Sequence, residues 1–133
     1  MTDQQTRRPP AQPRIAVPAT LAEALDPDWL AQALADDSGG RAIAAVEQVE
    51  LIRTVATKVR FAVTFADGGR GSYCLKGLLD VDAMTARGGP TCVLEADFYG
   101  KVAPVADVRV PRSVATVIDR EAQQAVTIMR DLI

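Results

Sequence analysis

Seven consecutive residues, Val59-Arg60-Phe61-Ala62-Val63-Thr64-Phe65, alternate between large apolar and smaller or polar side chains. Only an extended strand puts every second side chain on one surface, so the run predicts a strand with one buried face, as in an antiparallel sheet. Turn residues follow at once in Asp67-Gly68-Gly69-Arg70-Gly71. The chain then resumes with the β-forming run Ser72-Tyr73-Cys74-Leu75-Lys76-Gly77-Leu78. Upstream, residues 43–54 read as another strand, with Val49, Leu51 and Glu47 on one side. These three strands, joined by short loops, make a meander. Residues 113–118 and 124–129, separated by the turn Asp119-Arg120-Glu121-Ala122, add a fourth and a fifth.

Helical signals lie before and between the strands. Residues 19–35 hold the Leu21–Leu25 pair, then Asp26 as an N-cap with Pro27 at the first helical position. Trp29, Leu30, Ala33 and Leu34 give that second helix a narrow apolar face, with Trp29 as its anchor on the sheet. Ser38-Gly39-Gly40 ends it. Residues 80–89 are polar and predict a flexible loop. Pro90 opens another helix, which runs to about Ala103-Pro104. In it Leu94, Phe98 and Val102 recur at every fourth position and predict the buried stripe, with Glu95 at its border and Asp97 facing solvent. Residues 108–112 form an extended lead-in to the fourth strand. The predicted class is α+β: a mostly antiparallel five-stranded sheet, N-terminal helices, and one helix inserted between strands three and four.

The chain of 133 residues has room for one modest core, expected over residues 19–133. Residues 1–18, rich in proline and arginine, read as a flexible tail. A formal net charge of −2 gives no electrostatic reason to expect nucleic acid or an anionic membrane as partner. No apolar run approaches the ~20 residues of a membrane span, and the N-terminus lacks an apolar signal core. A cytoplasmic location with reduced Cys74 and Cys92 is the expectation. The chain contains no histidine, which excludes within it any His-based triad, His-ligated zinc or His general base. No metal ligands are expected in it.

One lysine stands out. Strand alternation puts Lys76 on the same face as Cys74 and Leu78, where an ammonium is costly unless paired. Glu95, on the inner border of the following helix, is its natural partner. Such a pair has two readings: a structural ion pair, or a phosphate-binding lysine oriented by a helix glutamate, as in kinases.

The order of elements resembles the small lobe of the protein-kinase-like fold, and several segments resemble the aminoglycoside-phosphotransferase-like family. Residues 26–34 resemble its N-terminal helix. Residues 54–61 followed by Cys74-Leu75-Lys76-Gly77 look like its nucleotide-covering loop and lysine strand. Glu95-Ala96-Asp97-Phe98-Tyr99 resembles its helix motif. Val110-Pro111-Arg112 resembles its approach to the fourth strand, and Ile128-Met129-Arg130-Asp131-Leu132 the start of its interlobe linker. The resemblance implies that Lys76 contacts the α- and β-phosphates of ATP and that Glu95 orients it. It implies that Thr54, Thr57 and Lys58 lie over the phosphates, and that Met129 or Ile128 lines the adenine pocket. Residues 54–58 contain no glycine, so this loop departs from the glycine-rich loop of protein kinases. Catalytic base and Mg²⁺ ligands belong, in the family, to a second, C-terminal lobe. Met129-Arg130-Asp131-Leu132 looks like a kinase catalytic loop but lies only about 55 positions beyond Lys76, on a strand.

Three functions are therefore weighed. The first is the nucleotide-binding small lobe of an ATP-dependent phosphotransferase acting on a small-molecule hydroxyl. It would be cut at the interlobe linker, inactive alone, and expose the surface that meets the missing lobe. The alternative is a free-standing, non-enzymatic α+β module that self-associates. A weaker third is a ligand pocket between sheet and helix holding Lys76 and Glu95.

Overall fold

The turn after Phe65 dictates the central hairpin. Gly68 adopts φ 91°, a region that favours glycine. The Gly69 N–H donates to Asp67 Oδ1 at 2.9 Å, and the Phe65 N–H donates to the Gly69 carbonyl at 2.7 Å. In the computed structural model, which describes residues 11–53, 56–82, 84–105 and 113–131, this turn joins β2 (Thr57–Phe65) to β3 (Arg70–Gly77). With β1 (Ile43–Arg53), β4 (Ser113–Asp119) and β5 (Gln124–Arg130) they form one five-stranded antiparallel sheet in the order β1-β2-β3-β5-β4. The protein is α+β, as the sequence predicts. The chain crosses from β3 to the far edge, so β5 returns between β3 and β4.

The alternation in β2 sets the two faces. Val59, Phe61, Val63 and Phe65 are buried with Tyr73, Leu75, Val117, Val126 and Ile128. Over this face lie α1 (Leu21–Ala24), α2 (Pro27–Ala33) and α3 (Ala35–Ser38), which add Ala24, Leu30, Ala33 and Leu34. Full burial of a side chain such as Phe61, Leu30 or Leu75 contributes about 1.5–3 kcal/mol. Asp26 caps α2 by accepting the Trp29 N–H at 2.9 Å. The Trp29 ring packs against this core, and its indole N–H donates to the Ala16 carbonyl at 2.7 Å.

That last bond corrects the tail expectation for residues 11–18. Ile15 and Val17 pack on the core, Pro18 is buried, and Ala11 forms a parallel bridge with Ala115 at the β4 edge. In β1, Val49 is 54% exposed rather than on the side of Leu51. A bulge between Gln48 and Glu50 inserts one unpaired residue. It lets Val46 and Leu51, an odd number of positions apart, both pack on the core.

The opposite face carries α4 (Gly89–Asp97), continued by a π-helical turn at Phe98–Val102. The stripe predicted from Leu94, Phe98 and Val102 is not the buried one: Leu94 is 70% and Val102 47% exposed. The buried side is Gly89, Val93, Ala96 and Gly100, packed near Ala125 and Ile118. Small residues win because they let the helix approach the sheet closely. Nor does Asp97 simply face solvent; it accepts two hydrogen bonds from Arg120, at 3.0 and 2.7 Å. The loop expected to be flexible holds a short 3-10 turn at Thr85–Gly88. Asp80 is tied to α1 by the Leu21 N–H at 2.8 Å. The lead-in at 108–112 lies outside the described residues. Among those described, no helix is long and apolar enough to cross a membrane.

Candidate functional site

Lys76 is the last charged side chain of β3, and strand parity turns it toward the α4 side. Its direct cross-strand neighbours are Lys58 on β2 and Thr127 on β5. Helix α4 starts against the β4–β5 turn, where Gly89 is seated so closely that a Cβ there would meet the Gln123 carbonyl oxygen. Val93 and Ala96 then face the sheet, and Glu95 falls between that buried side and solvent. Lys76 Nζ donates to Glu95 Oε1 at 3.1 Å. The side chains are 39% and 27% exposed, so both remain within reach of a ligand.

Lys58 makes the charge arrangement unequal. It stands directly opposite Lys76, where like charges repel. It is exposed and makes no ion pair or hydrogen bond among the described residues. Two ammonium groups thus stand side by side on one face, with the Glu95 carboxylate paired to Lys76 alone, an arrangement suited to an anion carrying more than one charge.

The remaining expected site residues divide. Met129 pairs with Cys74 and shares the Lys76 face, whereas Ile128 pairs with Leu75 and is fully buried in the core. Thr57 is in phase with Val59 and Phe61, so it points to the core side. It is buried, and its hydroxyl donates to the Leu79 carbonyl at 3.4 Å. The structure therefore does not bring Thr57 to Lys58 and Lys76. Thr54 lies outside the described residues.

Two residues given no role at this site from sequence, Arg60 and Asp131, belong to the same surface. Arg60 stands opposite Cys74 and donates to Asp131 at 2.8 Å and to Glu50 at 3.3 Å. Asp131 is held beside β3 by its own N–H, which donates to the Ser72 carbonyl at 3.0 Å. Burial pushes the Cys74 thiol up, against the opposing pull of Lys58, Arg60 and Lys76. Burial raises the Cys92 thiol too, and the Glu95 carboxylate adds to that rise. Both thiols are kept protonated and are poor nucleophiles. The parity that placed Lys76 already placed Arg60 and Cys74; the reach of Arg60 to Asp131 depends on β5 pairing with β3, a long-range fact.

Fold and site together define an α+β protein with a lysine–glutamate pair between its central strand and its inserted helix. No protein-family model, no curated protein and no solved structure matches the chain. Among the described residues, no three His, Cys, Asp or Glu side chains cluster as a metal site requires.

Proposed function

We propose that the chain is the nucleotide-binding small lobe of an ATP-dependent small-molecule phosphotransferase, similar to the aminoglycoside-phosphotransferase-like family. One observation carries the reading: the 3.1 Å Lys76–Glu95 pair, with lysine on the third strand and glutamate on the next helix. In kinases the same pairing positions the lysine that holds the nucleotide phosphates. The element order supports the reading, and so does Lys58, a second ammonium on the Lys76 face.

The donor set fits a polyphosphate. Lys76 neutralises the α- and β-phosphate charge while Glu95 holds its ammonium in place. Lys58 adds positive charge where the strand leaves the loop. Met129 lines the adenine end. When bound, ATP supplies the transferable γ-phosphoryl group. The described residues offer no cluster for Mg²⁺. Its ligands, the base and the pocket for the acceptor hydroxyl are assigned to a second lobe. With ATP as ligand, the proposed place of work is the cytoplasm.

The test is calorimetric titration of Mg–ATP into the full coding product, as wild type and as Lys76→Met. Affinity should fall at least about tenfold, the ~1.4 kcal/mol of one lost charge contact. Unchanged affinity in a folded variant refutes the assignment.

A second reading, a non-enzymatic module that self-associates, is favoured by the apolar side chains left outward near α4: Met84, Leu94, Val102 and Val105. Light scattering separates the two. A dimer lost on Leu94→Asp supports the module, and a monomer that binds Mg–ATP supports the lobe.

A further inference from the structure

A groove on the other side of α4 has no part in the nucleotide reading. Residues 11–16 are fixed at both ends. The Ala11 N–H donates to Val114 at 3.3 Å, the Thr116 N–H donates to Ala11 at 2.9 Å, and Ala16 accepts the Trp29 indole N–H at 2.7 Å. Between these anchors the segment bounds a cavity of about 460 Å³ against β4 and the β4–β5 turn. That volume is within the range of small-molecule sites, about 300–1,000 Å³.

Its lining is one-sided in charge. Arg14 and Arg120 contribute guanidinium groups, and none of the lining residues is acidic. Arg14 has no ion pair among the described residues. Arg120 uses two of its N–H groups on Asp97, and its others stay available. The floor adds an unusual feature. Thr116 is only 1% exposed and lines the cavity, yet among the described residues its Oγ1 has no hydrogen-bond partner. A buried hydroxyl left in that state costs about 1–3 kcal/mol. Gln12 Nε2 lies close by. A Cβ built on Gly100 would stand 3.0 Å from that nitrogen and 3.4 Å from Thr116 Oγ1, so amide and hydroxyl both lie against the same π-helical turn. Pro13, Ile15 and Ile118 supply apolar wall.

We propose that this groove binds a small phosphate monoester. Two guanidinium groups, an amide and a hydroxyl are a donor set for a tetrahedral oxyanion with several acceptor oxygens. The apolar wall takes the organic body. Occupation would offer Thr116 Oγ1 the partner it lacks among the described residues.

The probe is phenyl phosphate, titrated calorimetrically into the 133-residue chain, with inorganic phosphate and phenol as comparison ligands. Phenyl phosphate should bind more tightly than either. Arg14→Ala should weaken it about tenfold or more, with partial rescue by Arg14→Lys. Thr116→Val should also weaken binding while raising the melting temperature of the free protein, because it removes the unpaired hydroxyl. A merely structural threonine would give a lower melting temperature and unaltered affinity. No binding by about 10 mM, equal affinity for inorganic and phenyl phosphate, or affinity indifferent to both substitutions overturns the proposal.

Discussion

Two neighbouring glycines should respond in opposite ways to the same added methyl group. At Gly89 a Cβ would stand 1.8 Å from the Gln123 carbonyl oxygen and 2.6 Å from Gln124 Nε2. Contacts below 3.0 Å are essentially never seen for a real Cβ, so the first turn of α4 and the β4–β5 turn must part by more than about 1 Å. The obstacle is backbone and cannot rotate away. Overpacking of this kind costs about 1–3 kcal/mol. The gain from replacing a helical glycine, at most about 1 kcal/mol in a helix interior, is smaller at this first position. Gly89→Ala should therefore destabilise by about 2 kcal/mol, lowering the melting temperature by roughly 6–10 °C for a domain of this size. At Gly88 the same Cβ would meet only Leu78 Cδ1, at 3.8 Å, and the backbone has an ordinary φ of −76°. Gly88→Ala should be neutral or stabilising by up to about 1 kcal/mol, because it restricts the unfolded chain. Thermal unfolding followed by circular dichroism measures both. Equal melting temperatures for the two variants refute the close seating of α4 on the β4–β5 turn.

The Lys76–Glu95 pair, partly exposed on both sides, should matter little to stability. Lys76→Met should cost no more than about 1 kcal/mol in urea unfolding, since removing its repulsion with Lys58 offsets the lost attraction; a loss above about 3 kcal/mol would mark a structural pair instead. Tyr73 gives a pH dependence. Burial, and then the hydrogen bond to Asp37 at 2.9 Å, push its hydroxyl up to about 12 from an ordinary value of 10.0. The folded state favours the neutral phenol, so this stability is complete below pH 10 and declines as pH rises toward 12. Over that interval wild type should lose more stability than Tyr73→Phe, by about 1–2 kcal/mol, less than the full shift implies because the ring lines an open cavity beside Arg70. Parallel denaturation curves for the two proteins at pH 9 and 11.5 would contradict this.

Much of the sheet was legible because parity is a local property. Val59 to Phe65 states its own two faces, and Lys76, Cys74 and Arg60 follow by counting in twos. The same count places Thr57 on the core side, against the loop role that the family resemblance implies. What the sequence concealed depends on distances between elements. On α4, Leu94, Phe98 and Val102 look like a buried stripe by size, yet the helix approaches the sheet through Val93, Ala96 and Gly100. The π-helical turn at Phe98–Val102 then adds to the mismatch by breaking the helical phase. The bulge at Val49 shifts phase in the same way within β1. Proline-rich composition argued for a tail over residues 11–18, but their order comes from Trp29 and from the β4 edge, partners distant in sequence.

Helix α4 has anchors apart from the charges at the proposed nucleotide site. Gly89 seats its first turn, Val93 and Ala96 hold its middle near Ala125, and Asp97 ties its end to Arg120. Glu95 and Asp97 project about 200° apart on that helix, so the clasp with Arg120 secures the side away from Lys76. Glu95 is thus presented by a helix already held elsewhere. An ion pair that is not needed to dock its own helix can shift its lysine toward an incoming anion at little cost to the fold. In the structural reading of the pair the reverse holds: breaking it would loosen α4 and raise amide exchange along residues 89–97. The two readings therefore differ in hydrogen exchange as well as in binding. Lys76→Met should leave α4 protection unchanged, and Gly89→Ala should reduce it.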